Sequence, residues 1–288
     1  MLTINHLSKR YGKKPALHPL SFTVHPHQIL GIFGPNGCGK STLFRLIMGI
    51  LEPTTGSVTF EGQPIDQCRH RFGYMPEQRA LVVDLTVREH ALFIGRLKPT
   101  DLSALHQRIE VLAERFHVSA ALDRPIRHLS KGNQQKVQLM MALLDDPDVL
   151  ILDEPFNGLD AGARDEFSEI LRHLAQHGTA ILISSHVLDA VSGLCDSILV
   201  LKDGHVQRQG HLTTLRSDQT RIRIAVNADS NWKDISVPYT TLTPQGHTMV
   251  FEFDSIMRAR QALRYFNADR SVQSLHYDVM GLRTLIDP

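Results

Sequence analysis

The stretch Gly34-Pro35-Asn36-Gly37-Cys38-Gly39-Lys40-Ser41-Thr42 constrains the fold more than any other part of this chain. It satisfies G-x-x-x-x-G-K-[ST] at every fixed position. An apolar run, Ile29 to Phe33, precedes it and reads as a buried strand, and an amphipathic segment from Thr42 to about Ile50 follows and reads as a helix. Glycines at 34, 37 and 39 permit backbone angles that a Cβ forbids. Successive N–H groups then turn inward as an anion-binding nest, and the helix beginning near Lys40 adds its positive end. Lys40 supplies a full charge for the outer phosphates of a nucleotide, and the Ser41 hydroxyl is a candidate Mg²⁺ ligand.

The 288 residues are 42% hydrophobic, enough for one large domain and a small one. Lys and Arg number 31 against 30 Asp and Glu, which argues against a general binder of nucleic acid or acidic lipid. Cys38, Cys68 and Cys195 have no paired or metal-type spacing, and one lies in the glycine loop, so a reduced, cytosolic setting is expected. No signal peptide is expected at the N-terminus. No apolar stretch approaches the roughly 18 residues of a membrane span.

Residues 1–30, and again Gly56 to Phe60 with their neighbours, alternate like short antiparallel strands. From Val87 to about Asp145 the pattern is helical: Val111, Leu112, Arg115 and Phe116 share one amphipathic helix, and Val137, Met140, Met141 and Leu144 lie at helical spacing in another. Val149–Leu152 and Ala180–Ile183 are apolar runs suited to parallel strands, with a helix of about Ala161–His177 between them. Ser197–Leu201 and Val206-Gln207 read as a hairpin around Asp203-Gly204. A boundary is expected near Leu215–Asp218. Beyond it Arg221–Val226, Met249–Phe253 and Val272–Val279 read as strands, and Asp254 as the cap of a helix to about Phe266. Residues 219–288 thus read as a small α+β accessory domain without a chemical motif, its single Trp232 assigned to the core.

Two acids, Asp153 and Glu154, end the strand Val149–Leu152. Asp153 is expected to hold Mg²⁺, and Glu154 to orient and polarise the attacking water. In Leu129-Ser130-Lys131-Gly132-Asn133-Gln134-Gln135, Ser130 has the place of a helix N-cap, and a capped helix start is also a phosphate receptor. At this point the chain resembles the ATP-binding cassette (ABC) family, whose signature is Leu-Ser-Gly-Gly-Gln; Lys131 and Asn133 depart from it, Ser130 and Gly132 keep it. The resemblance covers about residues 2–215 and is closest to ATPase subunits of export-type systems with separate membrane subunits.

The resemblance implies a P-loop NTPase α/β core with an antiparallel β subdomain and a helical subdomain at about 87–145. It makes Tyr11 the aromatic that stacks on adenine and Asp160, in Phe156-Asn157-Gly158-Leu159-Asp160, the acid of the loop that crosses to a second subunit. It makes His186, after Ser184-Ser185, the residue that reports the γ-phosphate. The family's glutamine after the strand into the helical subdomain falls on Glu77 by spacing and on Gln78 by residue type, and Glu77 is favoured. By resemblance two copies bind ATP head to tail, with Lys40, Gly34–Thr42 and Tyr11 of one facing Ser130, Gly132, Asn133 and Asp160 of the other, and with Mg²⁺ near Ser41, Asp153 and Glu77 or Gln78. The expected function is an ATPase subunit powering transport, export favoured, through separate permease subunits on the cytoplasmic face of the cell membrane. Leu81–Val83 and Leu85–Val87 are candidate residues for the groove that docks them. The alternative is a soluble, non-transport cassette acting as a mechanical switch.

Overall fold

The computed structural model describes residues 1–78, 80–97, 101–187, 193–218, 221–228, 237–245, 248–253, 255–268 and 272–280. In chain order the elements are β1 (Leu2–Tyr11), β2 (Lys14–Val24), β3 (Ile29–Phe33), α1 (Lys40–Ile47), β4 (Thr55–Phe60), β5 (Gln63–Pro64), α2 (Ile65–Cys68), β6 (Phe72–Met75), α3 (Val87–Gly95), α4 (Leu102–Arg115) and α5 (Lys131–Ala142). There follow β7 (Val149–Leu152), α6 (Ala161–Gln176), β8 (Ala180–Ser185), β9 (Ser197–Lys202), β10 (His205–His211), α7 (Leu212–Asp218), β11 (Arg221–Ala228), β12 (Thr241–Gln245), β13 (Thr248–Phe253), α8 (Ile256–Ala268) and β14 (Val272–Met280). The chain divides into two compact units, Met1–Gln209 and Gly210–Pro288.

The first unit is built on a sheet of order β10-β9-β3-β8-β7-β6. Every residue of β3 and β7 is buried, and β8 is buried throughout. That is why these segments are unbroken apolar runs: a parallel sheet covered on both faces leaves no face for polar residues. The parallel register sets Phe33 opposite Ser185 and Leu152 opposite Ile183, so the carboxyl ends of β3, β8 and β7 open at one edge. Ile32, Ile151 and Leu182 share a core with Leu43, Phe44 and Ile47 of α1 and with Leu2, Ile4, Phe22 and Val24 of the antiparallel sheet β2-β1-β4-β5. Full burial of each such side chain contributes about 1.5–3 kcal/mol.

α3 starts at a reciprocal cap: Thr86 Oγ1 accepts from Glu89 N while Glu89 Oε2 accepts from Thr86 N. α4 buries the stripe Leu105, Ile109 and Leu112; Val111, expected on the same helix, lies off the stripe and is exposed. Val137 and Met140 of α5 are fully buried, as periodicity requires, and α5 ends before Leu144.

The second unit has a sheet of order β12-β13-β11-β14. Ile224, Val226, Phe251 and Phe253 of that sheet pack on Ala259, Ala262 and Phe266 of α8. β12 has no counterpart in the sequence reading, because Pro244 weakens its strand signal; it lies at the sheet edge, where proline is tolerated. Asp254 and Trp232 lie outside the described residues. Among the described residues no helix is long and apolar enough to cross a membrane.

Candidate active site at the carboxyl edge of the sheet

The loop after β3 folds as its glycines require. Gly34 has φ +154°, and a Cβ there would stand 2.1 Å from Leu201 O, so no other residue fits. Gly39 has φ +111° and forms the N-cap of α1 without a side-chain hydrogen bond. The contrast with α3, α4, α5 and α6 is direct, because Thr86, Asp101, Ser130 and Asp160 cap those helices. α1 also has no acid in its first turn. Its free N–H groups and dipole are therefore left for an anion from outside the chain.

The Lys40 ammonium lies over this loop. It donates to Gly34 O at 2.8 Å and stands 3.3 Å from Glu154 Oε1, both side chains buried. Cys38 packs inside the loop, and burial pushes its thiol up against the weaker pull of Lys40, so it is a packing residue rather than a nucleophile.

β7 and β8 are neighbours, and their adjoining ends place the two acids. Asp153 N donates to Met75 O at 2.9 Å, which holds the strand end to β6. The Ser184 hydroxyl donates to Asp153 Oδ1 at 2.6 Å and accepts from Glu154 N at 2.8 Å. One buried serine thus orients both acids, a role that sequence reasoning did not assign to it. Glu154 has φ +51°, an uncommon value for a residue with a Cβ, and the turn aims its carboxylate back over the loop. His186 Nδ1 lies 2.9 Å from Glu154 Oε2. An ionised carboxylate only accepts, so this contact puts the proton on Nδ1.

A cleft of about 390 Å³ collects Ala16, Asn36, Gly37, Gly39, Lys40, Ser41, Thr42, Glu77 and Glu154. Glu77 is on the lining and Gln78 is not. Gln78 instead offers its carbonyl to Gln138 Nε2. Ala16 was missed, since an alanine in a strand carries no chemical signature. Gly34 and Cys38 are buried behind the loop, Pro35 is exposed off the lining, and Asp153 lies behind Glu154 at 2% exposure. Tyr11 is 52% exposed with the Lys9 ammonium 5.5 Å over its ring, outside the cleft lining.

Ser130 caps α5 by accepting from Asn133 N at 3.2 Å, and Asp160 caps α6 by accepting from Ala163 N at 2.8 Å. Ser130 and Asp160 are exposed, Gly132 and Asn133 half-buried, and none of these four lines the cleft. Two glutamines beyond Ser130 tie this helix to the site: Gln135 Nε2 donates to Pro155 O and Gln138 Nε2 to Pro76 O, each at 2.8 Å.

Residues 17–157 match the ABC transporter family. The chain is 34% identical over 232 residues to the uncharacterized ABC transporter ATP-binding protein YhaQ of Bacillus subtilis, covering 80% of this chain and 78% of that protein. The chain belongs to the ABC transporter family as an ATP-binding subunit. This cassette is also 37% identical over 213 residues to the Nod factor export ATP-binding protein I of Rhizobium meliloti, covering 73% of this chain and 64% of that one. A solved structure of the ATP-binding subunit of an ABC transporter superimposes with a TM-score of 0.69 at 31% identity, over 75% of this chain and 92% of that one. The fold is the P-loop ATPase of the ABC cassettes, and ATP hydrolysis is the chemistry of that family.

Proposed function

We propose that two copies of this cassette clasp ATP and Mg²⁺ between them, and that its hydrolysis powers transport, export favoured, through separate permease subunits at the cytoplasmic face of the membrane. The observation that carries this reading is the line Lys40–Glu154–His186, with contacts of 3.3 and 2.9 Å, at the mouth of an uncapped helix. The loop N–H groups and Lys40 hold the outer phosphates, Glu154 orients water, and His186 reads the γ-phosphate. Tyr11 stacks on adenine. The oxygen donors that face the cleft are the Ser41 hydroxyl and the Glu77 carboxylate, with the buried Asp153 carboxylate behind Glu154, a set that would suit a hard ion. Mg²⁺ held there neutralises phosphate charge.

Ser130, Gly132, Asn133 and Asp160 lie off their own cleft, which supports their use on the nucleotide of a second copy. The γ-phosphate would then favour the closed pair over open monomers, the differential affinity that a switch needs. The name of the Nod factor export relative favours export. Residues 219–288 are proposed as an accessory domain.

Purification from detergent-solubilised membranes tests the transport role. A multi-span membrane protein that co-purifies in stoichiometric amount and stimulates ATP turnover is expected. Recovery of the cassette alone, or with soluble partners only, would refute it.

A further inference from the structure

β8 is apolar from Ala180 to Ile183 and then ends in two buried serines, Ser184 and Ser185. They are used differently. The Ser185 hydroxyl accepts from Val187 N at 3.0 Å, a local turn at its own strand end. The Ser184 hydroxyl reaches across to the end of β7 instead. Glu154 N–H can only donate, so the Ser184 oxygen accepts there, and its single proton is left for Asp153 Oδ1. At 2.6 Å that second bond has the length of a hydroxyl held by an ionised carboxylate. The order from Glu154 N–H through Ser184 O–H to the Asp153 carboxylate is therefore fixed, and each bond polarises the next.

The amide at the head of this chain belongs to the residue with the uncommon backbone. Glu154 stands at φ +51°, and such a conformation persists only where its surroundings over-determine it. Three successive residues are gripped. Asp153 N donates to Met75 O at 2.9 Å, Glu154 N donates to Ser184 Oγ at 2.8 Å, and Pro155, which has no N–H, offers its carbonyl to Gln135 Nε2 at 2.8 Å. Of the three, only the Ser184 grip acts on Glu154 itself, and only it ends on the second acid. We infer that Ser184 is a positioning residue for ATP hydrolysis: its hydroxyl uses the Asp153 charge to lock the turn that aims the Glu154 carboxylate. The inference rests on the reading of Glu154 as the acid that orients water. It assigns that acid's aim to a side chain that is fully buried and off the cleft lining.

The test is made on the full chain by single-turnover ATP hydrolysis. Ser184→Ala should lower the rate about 10–100-fold, the effect of misplacing a reacting group by roughly 1 Å. ATP affinity, read by nucleotide titration, should stay within about twofold, because the serine acts on the step and not on binding. Ser184→Cys, whose thiol donates and accepts weakly, should fall between serine and alanine, and it takes the alanine variant's place in every step if that one does not fold. The deciding measurement is the cycle with Glu154→Gln. With no carboxylate left to aim, adding Ser184→Ala to Glu154→Gln should change the residual rate by less than about twofold. A merely structural serine, or one acting through Asp153 and its cation, would lower both backgrounds by the same factor. An equal drop in the two backgrounds, parent turnover in Ser184→Ala, or lost ATP affinity in a folded Ser184→Ala overturns the inference alone. Parent turnover in Glu154→Gln sinks the reading of the acid, and the inference with it.

Discussion

Lys40 Nζ and Glu154 Oε1 stand 3.3 Å apart, with side chains 6% and 5% exposed. The loop cation and the acid proposed to activate water are therefore paired where solvent cannot screen them. A phosphate arriving at Lys40 competes with Glu154 for the ammonium, which links nucleotide binding to release of the acid.

Glu154→Gln removes that competitor as well as the acid. Turnover should fall about 10²–10⁴-fold, the contribution of a positioned acid or base. ATP affinity should rise, and an ATP-bound dimer should accumulate. Phosphate release, nucleotide titration and light scattering check the three parts; a variant that stays monomeric in ATP and Mg²⁺ would refute the paired-copy reading.

Lys40→Ala leaves Glu154 buried without its cation. Breaking such a pair costs about 3–5 kcal/mol, and nucleotide binding should be lost with it. Adding Glu154→Gln to the same chain should restore most of the stability and none of the binding. Urea denaturation of both single variants and the double gives the coupling directly.

Glu77 and Gln78 separate cleanly by substitution. Glu77→Gln should change turnover by about tenfold, the effect of roughly 1.4 kcal/mol on a barrier. Gln78→Ala should leave turnover near the parent's, since only its backbone carbonyl is engaged. Equal effects would return the assignment to Gln78.

Gly34→Ala and Gly132→Ala form a matched pair. At 34 the added methyl meets Leu201 O at 2.1 Å, and overpacking of this kind costs about 1–3 kcal/mol. At 132 the nearest atom is Leu159 Cδ2 at 3.9 Å, so stability should be unchanged. Chemical denaturation midpoints check both, and an intact Gly34→Ala would mean that the loop is built differently.

His90 predicts an acid-side loss of stability. Its folded pKa lies below its ordinary 6.5 because burial disfavours the cation. The unfolded chain then binds the proton more readily, so stability falls as pH drops below about 6.5, until the folded pKa is reached. His90→Leu should flatten the melting temperature against pH in that window. An unchanged slope would mean that the ring is solvated.

The parts of the site that chemistry demands as contiguous residues were legible in the sequence. The loop from Gly34 to Thr42, the strand-ending acids and the apolar runs of β3, β7 and β8 each announce themselves within a few residues. The partners that arrive through register did not. Ser184 reaches Asp153 only because β8 lies beside β7, and Ala16 reaches the cleft from a strand that no motif marks. Gln135 and Gln138 read as ordinary helix residues until the fold brings Pro155 and Pro76 to them. At Glu77-Gln78 spacing and residue type point to different residues, and only the fold shows that Glu77 lies on the cleft lining. β12 escaped because Pro244 weakens its strand signal, and the sheet edge tolerates that proline.

The backbone of Glu154, held at φ +51°, has a bearing on how this protein will respond to selection. A glycine at that position would relieve a strain of about 1–3 kcal/mol, less than the roughly 3–5 kcal/mol lost by leaving Lys40 buried without its acid. Directed evolution for heat tolerance alone should therefore keep the strained acid at residue 154, even in rounds without an activity filter.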